Sequence, residues 1–285
     1  MKIQRPGHTE SHLLWQSYLR NEQSSDYDKN LEQTFITWLY TTSGFYDKNI
    51  RDIKNDYEII TNSENYNKWL KGYHNSLKGS TYIDFWIGSP SFQDSAPYSF
   101  IKYIKQNYDT KSISVNNIFQ YNKTKYDFRG YWFIEIPHKN LGVFHKHYDI
   151  LKNKNVLVIS AFSELIEHQY AYNIHKIFPT FPKLKQLKTY TTPYTFLNNG
   201  PDNNFFETLD IIKKEITNID FDIALVSCGT YATFLIDYID SVLNLDAFYM
   251  GRGCNFMFGI DPHKNPNQYP LWITEIPKHL TYKNS

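Results

Sequence analysis

The chain has 285 residues, 2 cysteines and a formal net charge of +1. This length can bury a large core without disulfides, and the near-neutral charge lacks the basic footprint of a nucleic-acid-binding protein. The first residues contain no apolar signal segment, and no run approaches the ~18 apolar residues of a membrane span. We therefore expect a cytoplasmic protein with reduced Cys228 and Cys254, no membrane span and no nucleic-acid partner.

The first part of the chain has a helical pattern. Apolar residues recur every three or four positions from Thr9 to Leu77, and Gly44 and Gly79 are plausible helix ends. A strand is predicted at Thr81–Ile87, followed after a turn by a helix at Tyr98–Gln106.

From Asn155 onward, short apolar runs alternate with amphipathic segments. The predicted strands are Asn155–Ile159, Leu184–Thr191, Asp222–Val226 and Asp246–Met250. The predicted helices between them are Glu164–Phe178, Asn204–Thr217 and Tyr231–Leu243. This alternation indicates an α/β fold, a Rossmann-like parallel sheet with helices on both faces and a helical N-terminal part. We expect one unit, in which residues 1–122 form the helical part, 123–149 a bridge and 150–285 a nucleotide-binding half.

Small and hydroxyl residues follow all four predicted strands. They are Ser160–Ser163, Thr191–Pro193, Ser227–Thr230 and Gly251–Gly253. Ligands of open parallel sheets bind beyond the carboxyl ends of the strands, so a diphosphate is expected there, with Gly229 allowing backbone approach, Thr230 starting a helix and Arg252 supplying charge. The same residue types also cap helices and form tight turns in any α/β protein, and this alternative remains open.

Two common nucleotide motifs are absent. Gly251–Phe256 lacks the third glycine of the dinucleotide fingerprint and no clear helix is predicted after it, and the chain has no P-loop. A nicotinamide enzyme and an ordinary NTPase are therefore disfavoured. Asp84, in an otherwise apolar strand, is the candidate general base because a carboxylate there needs a partner or a cleft.

The segment Arg5-Pro-Gly-His-Thr-Glu10 precedes the first helix and has two interpretations. His8 and Glu10 are possible ligands of a divalent ion that neutralises a bound diphosphate. Alternatively, Thr9 caps the helix and Glu10 complements its dipole, and residue preferences at helix starts favour this reading.

Several segments resemble GT-D type glycosyltransferases, and in particular related proteins of bacterial capsule and giant-virus glycan clusters. The resemblance covers about two thirds of the chain. It rests on Asn155–Ser163 with Gln169-Tyr170, Thr191–Pro193, Phe221–Tyr231, Ala247–Gly253 with Phe258-Gly259, and Arg5–Glu10. The last segment occupies the place of the family's Arg-x-Gly-Asp-x-Glu, with His8 where the family has its aspartate.

The resemblance implies sugar transfer from a nucleoside-diphosphate donor, first of all a UDP-sugar, to a glycan acceptor. Glu10, with Mn²⁺ or Mg²⁺ held by Glu10 and His8, would stabilise the leaving diphosphate, and Asp84 would deprotonate the acceptor. The implied nucleotide-binding residues are Arg5, Gly7, Ser160, Phe162, Thr192, Gly229, Thr230, Gly251 and Arg252.

Two other functions remain open from the residues. One is a noncatalytic glycan- or nucleotide-binding scaffold, and a pure scaffold that has lost the donor site would bind no sugar nucleotide. The other, a methyltransferase on the same type of sheet, would bind S-adenosylmethionine. For the glycosyltransferase, Glu10→Ala is expected to abolish transfer without unfolding the protein, on the premise that Glu10 lies at a helix start and outside the core.

Overall fold

A computed structural model describes residues 1–87, 98–108, 113–117, 146–251, 253–262 and 264–277. For residues 82, 84–87, 98–102, 113–117 and 146–148 it describes the backbone alone. Its seven strands form one parallel sheet in the order β3-β2-β1-β7-β6-β4-β5. The strands are β1 (Lys2–Gln4), β2 (Tyr82–Ile87), β3 (Ile113–Asn117), β4 (Asn155–Ser160), β5 (Gln186–Thr191), β6 (Ile223–Ser227) and β7 (Asp246–Tyr249). The predicted parallel sheet is confirmed.

Helices cover both faces of the sheet, as predicted. They are α1 (His8–Asn21), α2 (Lys29–Thr41), α3 (Tyr57–Asn62), α4 (Glu64–Leu77), α5 (Tyr98–Asn107), α6 (Ser163–Tyr172), α7 (Ile174–Ile177), α8 (Phe205–Ile216), α9 (Tyr231–Ser241) and α10 (Gly253–Met257), with a 3-10 helix at Lys146–Leu151. In β4, Leu157 and Ile159 pack in a core with α1, α2, α4, α8 and α9. Val156 and Val158 pack in a second core with α6, α7 and α10. A strand buried on both faces must be apolar throughout, which explains its continuous apolar run.

Local signals set the helix boundaries. Asp28, Ser63 and Asn204 accept hydrogen bonds from the first backbone N–H groups of α2, α4 and α8, respectively. Gly44 and Gly79 follow α2 and α4 with φ values of +91° and +68°. Both predicted glycine ends are therefore confirmed, because a left-handed residue after a helix is where glycine is favoured.

Strand β1 was not predicted, and it changes the description of the N-terminal part. Lys2 and Gln4 are buried although they are polar, so β1 lacks the apolar pattern that would have predicted a buried strand. Polar contacts hold both side chains. The Lys2 ammonium lies 2.6 Å from Asp237 Oδ1, and Gln4 Nε2 donates to the carbonyl of Thr233 at 3.0 Å. Since β1 pairs with both β2 and β7, residues 1–122 are not only helical but contribute three strands to the common sheet.

The structure departs from the sequence prediction at other points. The helix predicted at Glu164–Phe178 is interrupted at Asn173, between α6 and α7. A short helix, α10, does follow Gly251, contrary to expectation. Of the predicted bridge 123–149, only the last residues, in the 3-10 helix, are described. Both cysteines are free thiols, and among the described helices none has the length and apolar character needed to cross a membrane.

Candidate functional site

A cavity of 680 Å³ lies at the carboxyl ends of five adjacent strands. The segments after β1, β7, β6, β4 and β5 contribute, in that order across the sheet, Arg5, Gly251, Gly229, Phe162 and Thr192. This volume is within the ~300–1,000 Å³ typical of small-molecule and cofactor sites. Five of the predicted nucleotide-binding residues are therefore brought together around one cavity.

Two further predicted residues support the cavity wall without lining it. Ser160 is fully buried, and its hydroxyl accepts a hydrogen bond from the Phe162 N–H at 3.1 Å. Thr230 is also fully buried, and its hydroxyl accepts from Trp69 Nε1 at 3.1 Å. Both hydroxyls thus hold the loops that carry the lining residues, but no side chain caps the start of α6 or of α9, so the helix-capping alternative is not confirmed at these positions.

The glycines after β6 and β7 allow other parts of the protein to approach. Gly229 has φ +60°, and a Cβ there would lie 2.5 Å from the Ser43 carbonyl oxygen. Gly251 has φ +49°, and a Cβ there would lie 2.6 Å from Arg5 Nη1. The Arg5 guanidinium therefore extends over Gly251, with its Cζ 5.9 Å from the centre of the Tyr249 ring.

Glu10 lies in the first turn of α1, beside the cavity but not among its lining residues. Burial raises the pKa of the Glu10 carboxyl, and three groups oppose this: its own backbone N–H, the Ser43 hydroxyl that donates to it, and the positive charge of Arg5. A Cβ on Gly7 would overlap Glu10 Oε2, so a larger residue at position 7 would displace the carboxylate.

Two expectations about this segment are wrong. Glu10 is only 4% exposed, so it belongs to the core, and Glu10→Ala would leave buried space and perturb packing as well as remove the carboxylate. Thr9 does not cap α1, because the cap position is Gly7 and no side chain bonds there. Glu10→Gln is accordingly the substitution that separates the charge of Glu10 from its volume.

His8 packs in an aromatic cluster that also contains His12, Phe35 and Trp38. Its ring centre lies 4.9 Å from that of His12, 5.0 Å from Phe35 and 5.6 Å from Trp38. Burial lowers the pKa of His8 to about 4, so the imidazole is neutral at physiological pH. His8 is not among the residues that line the cavity.

The donor atoms around the described part of the site do not by themselves fit a hard divalent ion. No group of three or more His, Cys, Asp or Glu side chains lies where it could hold a metal among the residues described. Glu10 is a single buried carboxylate with an arginine nearby, whereas Mg²⁺ sites use carboxylate, phosphate and water oxygens. Mn²⁺ or Mg²⁺ remains a prediction.

The buried histidines predict a loss of stability in acid. The pKa values of His8 and His12 are lowered to about 4 and about 3 from the usual 6.5, so the unfolded chain takes up these protons first as the pH falls. Their contribution to stability is present above pH 6.5 and is lost progressively toward pH 3. Since His8 is partly solvated, we expect the free energy of unfolding to fall by about 1–3 kcal/mol between pH 7 and pH 5.

Urea denaturation at a series of pH values measures this effect. His12→Phe retains a ring stacked on Phe35, whose centre lies 4.2 Å away, and should flatten the profile. His168→Gln, which changes an exposed histidine of α6, is the control and should leave the profile unchanged. A profile that is equally steep in His12→Phe and in the unmodified protein would contradict the assignment.

The chain matches no protein-family model, no curated protein and no solved structure. Function is therefore inferred from the cavity and from the chemistry of the residues around it.

Sequence reasoning missed several residues that line the cavity, among them Asn255, Ile260, Pro262, Ile276 and two continuous segments. Thr42–Gly44 follows α2 and Tyr194–Phe196 follows the end of β5. Thr42–Gly44 has the same small, hydroxyl-rich composition as the loops after the strands, but it follows a helix, so the rule for strand ends did not select it. In the second segment, aromatic residues alternate with a threonine in Tyr194-Thr-Phe196, and this pattern could have indicated a ligand-binding segment. Both rings line the cavity.

Two predicted residues cannot be placed as side chains. Asp84 lies on β2, one position beyond Ile83, which pairs with Gln4, so its backbone is near the end of β1 from which Arg5 emerges. Its side chain is not among those described, and Arg252 lies outside the described residues altogether. The general-base role of Asp84 and the phosphate role of Arg252 stay predictions.

Proposed function

We propose that the protein is a glycosyltransferase that moves a sugar from a nucleoside-diphosphate donor to a hydroxyl of a glycan acceptor. The observation that carries the proposal is the 680 Å³ cavity where five parallel strands end, with Arg5 and the Gly7–Glu10 segment against its wall. The resemblance of the strand-end segments and of Arg5–Glu10 to GT-D type glycosyltransferases supports the same assignment.

The features expected of a diphosphate site converge on this cavity. Helix α9 begins two residues after the lining residue Gly229. Free N–H groups and the positive dipole end at a helix start favour bound phosphate. Arg5 adds a full positive charge that offers paired hydrogen bonds to phosphate oxygens.

The proposed reaction needs a group that stabilises negative charge on the diphosphate of the donor. It also needs a base that removes the proton of the acceptor hydroxyl. The acceptor oxygen forms a bond to the anomeric carbon, the bond from that carbon to the diphosphate oxygen breaks, and the nucleoside diphosphate leaves with the electron pair. Arg5 stabilises the charge that develops on the leaving group. In this proposal the acceptor proton passes to Asp84.

Glu10 acts in this proposal through its neighbours. It accepts a hydrogen bond from the Ser43 hydroxyl and lies close enough to Arg5 for their charges to interact. Since Ser43 and Arg5 line the cavity and Glu10 does not, Glu10 is a positioning residue that sets the wall facing the donor.

Donor binding and hydrolysis test the proposal. UDP-, GDP- and dTDP-sugars would be presented with and without Mn²⁺, and S-adenosylmethionine would be included in the binding series. We expect binding and slow hydrolysis of at least one sugar nucleotide. Binding of none of them would remove the proposal in favour of a scaffold, and binding of S-adenosylmethionine alone would favour a methyltransferase.

A further inference from the structure

We infer that the cavity holds its nucleoside diphosphate in one direction, with the base against an aromatic wall at the ends of β4 and β5 and the diphosphate at the ends of β6, β7 and β1. The aromatic wall is defined as Phe162, Tyr194 and Phe196. This inference rests on the proposed function and adds to it which residues select the base.

The three rings of the aromatic wall form one continuous surface. The Tyr194 and Phe196 ring centres are 4.0 Å apart, and Phe162 meets Tyr194 edge to face at 6.3 Å. All three side chains line the cavity and are only half-buried, so part of each remains accessible. A nucleobase stacks on such a surface because its π-face is planar and apolar.

Hydrogen bonds to α2 and to residues that follow it anchor the segment Tyr194–Asn198, which carries two of the three rings of the aromatic wall. The Thr195 hydroxyl donates to the Gly44 carbonyl at 2.7 Å. The Asn198 N–H donates to the Tyr40 carbonyl at 3.0 Å, and Asn198 Nδ2 donates to the Ile50 carbonyl at 2.7 Å. Because the protein itself supplies both partners of each of these bonds, the segment needs little further ordering to bind a ligand.

The backbone next to the wall is in an uncommon conformation. Leu197 and Asn198 have φ values of +54° and +56°, which asparagine tolerates and leucine rarely adopts. Leu197 is also 55% exposed, so burial of its side chain does not compensate for the conformation. Strain of this kind persists where the surroundings impose it and clusters at ligand sites.

The charged end of the cavity lies where β7 and β1 end, across the cavity from the aromatic wall at β4 and β5. Arg5 is the sole charged residue among the described lining residues, and it extends over Gly251. The strand order β1-β7-β6-β4-β5 places β7 three strands from β5, roughly 14 Å at the usual strand spacing. An extended nucleoside diphosphate spans a comparable distance from its base to its terminal phosphate.

Tyr249, at the charged end, does not compete for the base. It is 7% exposed, and its hydroxyl donates to the Gly229 carbonyl at 3.4 Å, so its ring belongs to the wall of the cavity. Accessible rings therefore lie at one end and the positive charge at the other. This polarity selects a single direction for a ligand with an aromatic base and an anionic diphosphate.

Fragment binding tests the direction. The probes are inorganic pyrophosphate and whichever of UDP, GDP and dTDP binds most tightly, together with its nucleoside, titrated by calorimetry. Tyr194→Ala should weaken the nucleotide and the nucleoside by about tenfold or more and leave pyrophosphate unchanged. Arg5→Gln should weaken pyrophosphate and the nucleotide by about tenfold or more and leave the nucleoside unchanged.

The controls separate the direction from the proposed function. Tyr172→Ala changes a tyrosine of α6 that is 65% exposed and outside the cavity, and should alter none of the affinities. In the unmodified protein, NMR magnetisation transfer from labelled tyrosine and phenylalanine rings should reach base protons more strongly than ribose protons. If the two variants exchanged their patterns, or if the ribose received the stronger transfer, the direction would be overturned while nucleotide binding stood. If no nucleotide bound at all, both the inferred direction and the proposed function would be wrong.

Discussion

If the protein transfers a sugar as proposed, Arg5→Gln should reduce that transfer by roughly 100- to 1,000-fold, the loss typical of removing one preorganised group that stabilises developing charge. Arg5 lines the cavity, and its guanidinium lies over Gly251, with Nη1 close enough that a Cβ on Gly251 would meet it at 2.6 Å. Glutamine keeps part of the length and hydrogen-bonding capacity but removes the charge. The loss should appear in kcat as well as KM, because charge on the diphosphate increases as the sugar leaves.

Steady-state transfer, or donor hydrolysis when the acceptor is not yet known, measures this effect. Arg51→Gln is the matched control, since Arg51 is exposed and outside the cavity, and it should keep full activity. The melting temperatures of both variants, compared with that of the unmodified protein, show whether a loss of activity comes from a folding defect. Near-normal turnover in Arg5→Gln would show that the leaving group is stabilised by other residues and would remove Arg5 from the mechanism.

Gly229→Ala should lower the free energy of unfolding by about 2–5 kcal/mol. The residue has φ +60°, where alanine is strained, and its new methyl group would lie 2.5 Å from the Ser43 carbonyl oxygen. That carbonyl also accepts the Thr230 N–H at 2.8 Å. Relieving the overlap therefore stretches a hydrogen bond and moves the loop after β6 away from the segment after α2.

Gly79→Ala is the control that isolates the close approach. Gly79 has φ +68°, almost the same conformation, but a Cβ there would meet no atom within 4 Å. In Gly79→Ala the free energy of unfolding should fall only by the cost of placing alanine at positive φ, about 1–2 kcal/mol. Chemical denaturation of the two variants gives the difference, and equal losses would mean that the contact with Ser43 imposes no constraint.

The C-terminal half of the fold was predictable because a strand that is buried on both faces has a continuous apolar run in the sequence. The runs at β4, β6 and β7 are apolar without interruption, and the helices between them have distinct starts such as Asn204. Strand β1 has no such apolar run. It has three residues, and its buried Lys2 ammonium and Gln4 Nε2 donate to Asp237 and Thr233, which are more than 200 positions away in the chain.

The candidate site was predictable only in part, for a related reason. The strand-end rule selected Phe162, Thr192, Gly229 and Gly251, which do line the cavity. It could not select Ser43, which reaches the site through the packing of α2 against α1. Nor could it show that Gly229 accommodates the Ser43 backbone, since a glycine that admits a ligand and one that admits another loop have the same sequence signature.

The three residues after α2 link separate walls of the cavity to one helix. Ser43 receives the Thr230 N–H and donates to Glu10, while Gly44 accepts the Thr195 hydroxyl. Any fraying of α2 at its carboxyl end would therefore release the loops after β5 and β6 together. Conversely, a ligand that needs both loops in place must hold this end of the helix closed, so binding energy and the local stability of α2 are thermodynamically linked.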